Sequence, residues 1–91
     1  KRVGVGLARD GSYTGHGSGE VFLGFSTANR IRDDGQAFHT VREIKDDYLN
    51  PIFRATAEAT EEAVLNSMLC ADPAKAIDGT PIRSLREYMA L

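Results

Sequence analysis

Ninety-one residues with 42% hydrophobic and 26% charged side chains make one small domain or a piece of a larger one, and exclude two independently folded cores. Eleven Lys and Arg against thirteen Asp and Glu leave a net charge of -2, so no basic excess marks a nucleic-acid partner. Apolar runs such as Val21 to Phe25 fall far short of the roughly 18 residues that a membrane-spanning helix takes.

The chain opens on Lys1-Arg2 rather than Met, and its true N-terminus is expected upstream. Four glycines, Gly11, Gly15, Gly17 and Gly19, then fall within nine residues. Because glycine costs about 1 kcal/mol relative to alanine at a helical position, this stretch is expected to be a loop with backbone conformations closed to other residues. It leads into Glu20-Val21-Phe22-Leu23-Gly24-Phe25-Ser26-Thr27, whose aliphatic and aromatic content predicts a buried strand. Gly24 in its middle marks a place where another backbone or a ligand comes close. Asp34-Gly35 signals a turn, and a shorter extended segment, Ala37 to Ile44, is expected to pair with the first.

A helix follows. Asn50-Pro51 fits its start, although Asp46 and Asp47 could begin it one turn earlier. Ile52, Phe53, Thr56, Ala59, Thr60, Ala63, Val64, Ser67 and Met68 recur at spacings of three and four and form the expected inner face, with Arg54, Glu58, Glu61 and Glu62 on the other side. Asp72-Pro73 ends the helix, and Ser84-x-x-Glu87 predicts a capped terminal helix over Ser84 to Ala90. Cys70, the single cysteine, is expected as a buried, inert thiol at the helix end. Without an intrachain disulfide the fold stands on packing alone, as in a reducing compartment, and a cytoplasmic location is expected. One core helix, one or two strands and short pieces leave strand edges unpaired, so a partner polypeptide is expected.

Gly15-His16-Gly17-Ser18-Gly19-Glu20 is where chemistry concentrates. If the chain is already extended at Ser18, Ser18 and Glu20 point to one face, roughly 7 Å apart at their Cα atoms. A hydroxyl and a carboxylate so placed can relay a proton or orient a nucleophile, while Gly17 and Gly19 at the rim let a substrate backbone approach. The same residues also fit a plain flexible loop with Glu20 a solvated strand end. A phosphate cradle is excluded, because no Gly-x-Gly-x-x-Gly opens a helix and no Lys-Ser/Thr pair follows. His16 has no second His or Cys at metal-ligand spacing, so no metal and no cofactor is expected. Tyr13 and Tyr48 stay open between packing and substrate contact.

Several blocks in order carry a resemblance. Gly6-Leu7-Ala8-Arg9, Gly11-Ser12-Tyr13, Gly17-Ser18-Gly19-Glu20-Val21-Phe22-Leu23, Phe25-Ser26-Thr27-Ala28-Asn29, Leu49-Asn50-Pro51-Ile52-Phe53 and Ala59-Thr60-Glu61-Glu62-Ala63-Val64-Leu65-Asn66 are similar to the C-terminal part of the L-aminopeptidase/D-esterase and β-aminopeptidase family. The resemblance spans nearly the whole chain. It implies an α/β fold, a fragment of the four-layered αββα sandwich similar to N-terminal-nucleophile hydrolases. It also implies a precursor that cleaves itself into a larger and a smaller subunit, with the new N-terminal serine of the smaller one as nucleophile. Residues 1–91 would then be the C-terminal part of the small subunit, with that serine upstream of Lys1. Ser18 and Glu20 match the family's Ser-Gly-acid motif beside the nucleophile.

The implied activity is a serine aminopeptidase acting on short peptides, amides or esters. The implied partners are the large subunit and the remainder of the small one, with heterodimers assembled into a homo-oligomer. This chain alone would be inactive. A non-catalytic small-ligand or anion-binding module, or a structural subunit completing a partner's sheet, is the alternative expectation.

Overall fold

A computed structural model describes residues 1–90. In chain order these form helix α1 (Val3–Arg9), a 3-10 turn (Asp46–Tyr48), helix α2 (Leu49–Cys70), strands β1 (Ala74–Lys75) and β2 (Pro81–Ile82), and helix α3 (Leu85–Met89).

The short α1 carries two glycines, Gly4 and Gly6, which intrinsic propensity disfavours in a helix. Packing explains them. Gly6 is buried, and a Cβ added there would sit 2.5 Å from Thr60 Cβ and 2.6 Å from the Ala57 carbonyl oxygen. Only a residue without a side chain lets the two backbones come this close. Two further contacts bracket the crossing: the Arg2 guanidinium lies 4.2 Å from the centre of the Phe53 ring, and Arg9 pairs with Glu61 at 3.4 Å. At the far end of α1 the Gly11 N–H donates to the Ala8 carbonyl and the Ser12 N–H to the Leu7 carbonyl. With Gly11 at φ +105°, this is a Schellman ending, the left-handed glycine closing the helix and satisfying its last carbonyls.

Helix α2 begins through the 3-10 turn of Asp46–Tyr48, the earlier of the two expected starts. Asn50 makes no capping hydrogen bond, and Tyr48 occupies the N-cap. Pro51, third in α2, falls in the first turn, where its missing N–H would have had no intrahelical acceptor. The face turned to α1 is Phe53, Thr56, Ala57, Thr60, Glu61 and Val64, with Ala57 only 3% exposed. The Thr56 and Thr60 hydroxyls donate to the carbonyls of Ile52 and Thr56, both at 2.8 Å, so these polar atoms enter the contact already bonded. Ile52, Ala59, Ala63, Ser67 and Met68, expected on the inner face, are exposed, and Glu61, expected on the other side, lies on the contact face, where it pairs with Arg9.

Between the two helices the expected buried strand is not formed within this chain. Val21, Leu23 and Phe25 are 99, 94 and 90% exposed, and no β-ladder joins residues 20–27 to 37–44. The two segments meet instead through one side chain: Asn29 Nδ2 donates to the Arg42 carbonyl at 2.9 Å, and the Arg42 N–H donates to Asn29 Oδ1 at 2.8 Å. That amide copies the pairing of a neighbouring strand at a single residue. The Asp34-Gly35 turn forms as expected, with Gly35 at φ +73° and the Gln36 N–H donating to Asp34 Oδ1.

After Asp72-Pro73 the antiparallel β1 and β2 pair Ala74 with Ile82 and Lys75 with Pro81. Gly79 at φ +86° and Asp78 Oδ1, which accepts from the Thr80 N–H at 2.9 Å, shape their turn. The Thr80 hydroxyl and then its backbone N–H hold the Asp78 carboxyl below its ordinary pKa, since both favour the charged form. Ser84 and Glu87 complete the expected capping box of α3. Cys70 is exposed, not buried, because no element among the described residues covers that side of the end of α2. The Cα radius of gyration, 19.5 Å with extents of 59 × 32 × 29 Å, exceeds the about 12 Å of a compact domain this long, and much apolar surface lies open.

Gly6→Ala is expected to lower the stability of the full-length protein by about 1–3 kcal/mol through overpacking, whereas Gly4→Ala, whose Cβ would meet nothing nearer than Phe22 Cε2 at 4.0 Å, is expected to be neutral or to add about 0.5–1 kcal/mol; chemical denaturation of the two variants checks the contrast. The depressed Asp78 pKa makes its contribution to the turn complete above the ordinary aspartate pKa and lost as pH falls through the folded value. Carboxyl titration by NMR is expected to give Asp78 a midpoint below that of ordinary aspartates, and Thr80→Ala to raise it.

Candidate functional site

The Schellman ending of α1 aims the chain into the loop Ser12–Gly19, so the crossing of Gly6 on α2 also sets where that loop starts. Within it Thr14 adopts φ +54°, a left-handed conformation uncommon for a β-branched residue. The Tyr13 ring folds over Gly15, where an added Cβ would meet its Cε2 at 2.9 Å and its Cζ and hydroxyl oxygen at 3.2 Å. Gly17, at φ +81°, reverses the chain, and the Ser18 N–H donates to the Gly15 carbonyl at 3.1 Å. The result is a cavity of about 220 Å³ lined by Gly11, Ser12, Tyr13, Thr14, Gly15, His16 and Ser18.

Of the residues singled out from the sequence, Ser18 is exposed and lines this cavity, Gly17 supplies the reversal that brings it back, and a Cβ added at Gly19 would meet nothing within 4 Å. Glu20 is half-buried just beyond. It does not line the cavity, and no hydrogen bond links it to Ser18 among the described residues. His16 and Tyr13 are exposed and line the cavity, whereas Tyr48 stands at the N-cap position of α2 without a side-chain capping hydrogen bond.

Two features escaped the sequence reading. Thr14 lines the cavity, but nothing in its local sequence marks a left-handed threonine. Asp10, the C-cap of α1, has one buried carboxylate oxygen, Oδ2, with no hydrogen-bond partner among the described residues; its burial depends on where α1 ends, which was not foreseen.

Chemically, the loop presents hydroxyls, an imidazole and bare glycine backbone on one concave surface, with a carboxylate two residues past the serine. Such a surface can accept a polar, chain-like ligand and can add an orienting hydroxyl to a nucleophile brought from elsewhere. Among the described residues no hydrogen bond joins His16 or another base to Ser18, the pairing that would activate Ser18 itself as a nucleophile.

Comparison with known proteins adds to this geometry. The model of "Peptidase family S58" matches residues 1–82. A β-peptidyl aminopeptidase BapA from Sphingosinicella microcystinivorans is 37% identical over 86 residues, 93% of this chain and 22% of that protein. A second protein of that name, from Sphingosinicella xenopeptidilytica, is 32% identical over 74 residues, 79% of this chain and 18% of the relative. The crystal structure of the PH0078 protein from Pyrococcus horikoshii OT3 superposes with a TM-score of 0.86 at 39% identity, over 98% of this chain and 25% of that one. The chain thus spans about a fifth of the length of the curated relatives it matches.

Proposed function

The chain belongs to peptidase family S58, the family of L-aminopeptidase/D-esterase and β-aminopeptidases, and on that footing we propose that it is part of a serine aminopeptidase releasing N-terminal residues from short peptides, amides or esters. The observation that carries this reading is the family match over residues 1–82, which includes Ser18-Gly19-Glu20, combined with the seating of Ser18 in a concave loop. The names of the relatives, both β-peptidyl aminopeptidases, support the class of reaction.

In this reading the precursor cleaves itself, and the serine so exposed, upstream of Lys1, is the nucleophile. A terminal serine carries both a hydroxyl and an α-amine with an ordinary pKa of about 8, so one residue brings nucleophile and base together. Ser18 donates a hydrogen bond that orients that hydroxyl. Glu20 organises the same network or holds the free ammonium of the substrate. Gly17 and Gly19 keep the rim clear for the substrate backbone.

The remaining polypeptide covers Val21 to Thr27 and the open side of α2, completing the αββα sandwich, and heterodimers assemble into a homo-oligomer. The open shape of the chain and the exposure of Val21, Leu23 and Phe25 support that part of the proposal.

In the full-length enzyme Glu20→Gln is expected to lower turnover of an aminoacyl p-nitroanilide by about 10²-fold if its carboxylate takes part in proton transfer, or to raise KM and relax the need for a free amino terminus if it holds the ammonium. Unchanged kinetics in both Glu20→Gln and Ser18→Ala would overturn the catalytic reading and favour a ligand-binding or structural role. Residues 1–91 alone are expected to hydrolyse none of these substrates, and turnover by the purified fragment would contradict the upstream nucleophile.

A further inference from the structure

Two contacts within the loop converge on one residue, Gly15. The Tyr13 side chain lies against it, so that the three atoms nearest to an added Cβ are Tyr13 Cε2 at 2.9 Å and Tyr13 Cζ and hydroxyl oxygen at 3.2 Å. From the other end of the loop the Ser18 N–H donates to the Gly15 carbonyl at 3.1 Å. That bond closes a β-turn over Gly15-His16-Gly17-Ser18, in which Gly17 at φ +81° has the conformation of the third residue of a type II turn. Among the described residues it is the one backbone hydrogen bond made between Tyr13 and Gly19. The ring therefore seats on the residue that opens the turn, and Ser18 is the residue that closes it. Glycine is the residue type least able to fix its own backbone, so whatever holds Gly15 also decides where Ser18 points.

We propose that Tyr13 is a positioning residue for Ser18, acting through Gly15. The inference rests on the aminopeptidase reading, in which the Ser18 hydroxyl orients the nucleophile, and deepens it. A ring packed on Gly15 restricts rotation about the backbone bonds of that glycine, and those rotations are what would carry its carbonyl away from the Ser18 N–H. Tyr13 is 89% exposed, so the contact hides little apolar surface and adds little to overall stability. Its effect is local. Gly15 stands outside the left-handed region that Gly11 and Gly17 occupy, so its backbone would accept an alanine, and the atoms such a Cβ meets first all belong to Tyr13. The bare α-carbon at position 15 is thus required by the ring and not by the backbone. Misplacing a group of the site by about 1 Å can cost as much as 10²-fold in rate, so loosening this latch acts on kcat.

The test uses the full-length, processed enzyme and an aminoacyl p-nitroanilide. Tyr13→Ala is expected to lower kcat about tenfold with KM and the melting temperature little changed, and Tyr13→Phe, which keeps the ring, to restore most of the loss. Gly15→Ala, whose Cβ displaces the ring, is expected to lower kcat to a similar degree. The double variant carrying Tyr13→Ala and Gly15→Ala is expected to be no slower than either single one, because both changes break the same contact. A Tyr13→Ala precursor that folds but does not cleave itself, beside a Tyr13→Phe precursor that does, is the same loss met one step earlier. Losses that multiply in the double variant, a Tyr13→Phe enzyme as slow as Tyr13→Ala, or single variants with unchanged kcat would overturn the positioning role, while a slow Ser18→Ala enzyme would leave the reading of Ser18 intact. If Ser18→Ala itself keeps the wild-type kcat, the orienting role of Ser18 fails, and the part of Tyr13 with it.

Discussion

Gly6 against Ala57 and Thr60 is the contact on which the rest of the chain depends. At 2.5 and 2.6 Å from a hypothetical Cβ, no other residue fits without moving backbone, and the burial of Ala57 comes from the same approach. The contact converts a seven-residue helix that would not persist in isolation into a fixed element. Arg2 on Phe53 and Arg9 with Glu61 add orientation more than energy, since exposed charge pairs contribute little. Once α1 is fixed, its Schellman ending fixes the direction of the chain at Ser12, and the cavity-forming loop follows. Packing far from Ser18 thereby positions Ser18.

Beyond that crossing the chain is open. Val21, Leu23, Phe25, Phe38 and Ile31 are exposed, a surface that monomeric proteins seldom leave uncovered. Asn29 pairing with both backbone groups of Arg42 brings the two segments together at one point without a ladder, so their remaining backbone donors and acceptors stay available. Relatives four to five times as long as this chain are consistent with that availability being used by further polypeptide. In the proposed function the site is accordingly a shared one: this chain supplies the Ser18 hydroxyl and the Glu20 carboxylate, and the nucleophile arrives from the rest of the protein.

Periodicity made α2 legible because a long amphipathic helix repeats its signal many times, and Ser84 with Glu87 made α3 legible because the capping box is a local reciprocal pair. The face of α2 was read less well. Phe53, Thr56, Thr60 and Val64 of the expected face do turn to α1, but Ala59 and Ala63 lie in the open while Ala57 and Glu61 join the contact, a choice made by the partner helix. Helix α1 was hidden by Gly4 and Gly6, whose poor propensity is outweighed by close packing. Strands of two residues have no alternation to detect, so β1 and β2 passed unseen, although Asp78-Gly79 is a turn signal of the same kind as Asp34-Gly35. The run from Glu20 to Thr27 was read as a buried strand because its residues are apolar, yet Val21, Leu23 and Phe25 are exposed, since composition marks a segment fit for burial and not what would cover it. Within the loop, Ser18 and Glu20 were legible as a motif. The cavity that Ser18 shares with Thr14 and His16 was not, because it arises from backbone conformations at Thr14 and Gly17.

The most direct measurement of the central claim, that this chain holds Ser18 in place for a nucleophile supplied by the rest of the protein, is a crystal structure of the full-length processed protein. The account predicts a free N-terminal serine whose hydroxyl lies within hydrogen-bond distance of Ser18 Oγ, above an intact contact of Gly6 with Ala57 and Thr60, with Val21, Leu23 and Phe25 buried in a sheet. A structure in which Ser18 faces solvent, separated from any N-terminal serine by intervening side chains, would contradict it.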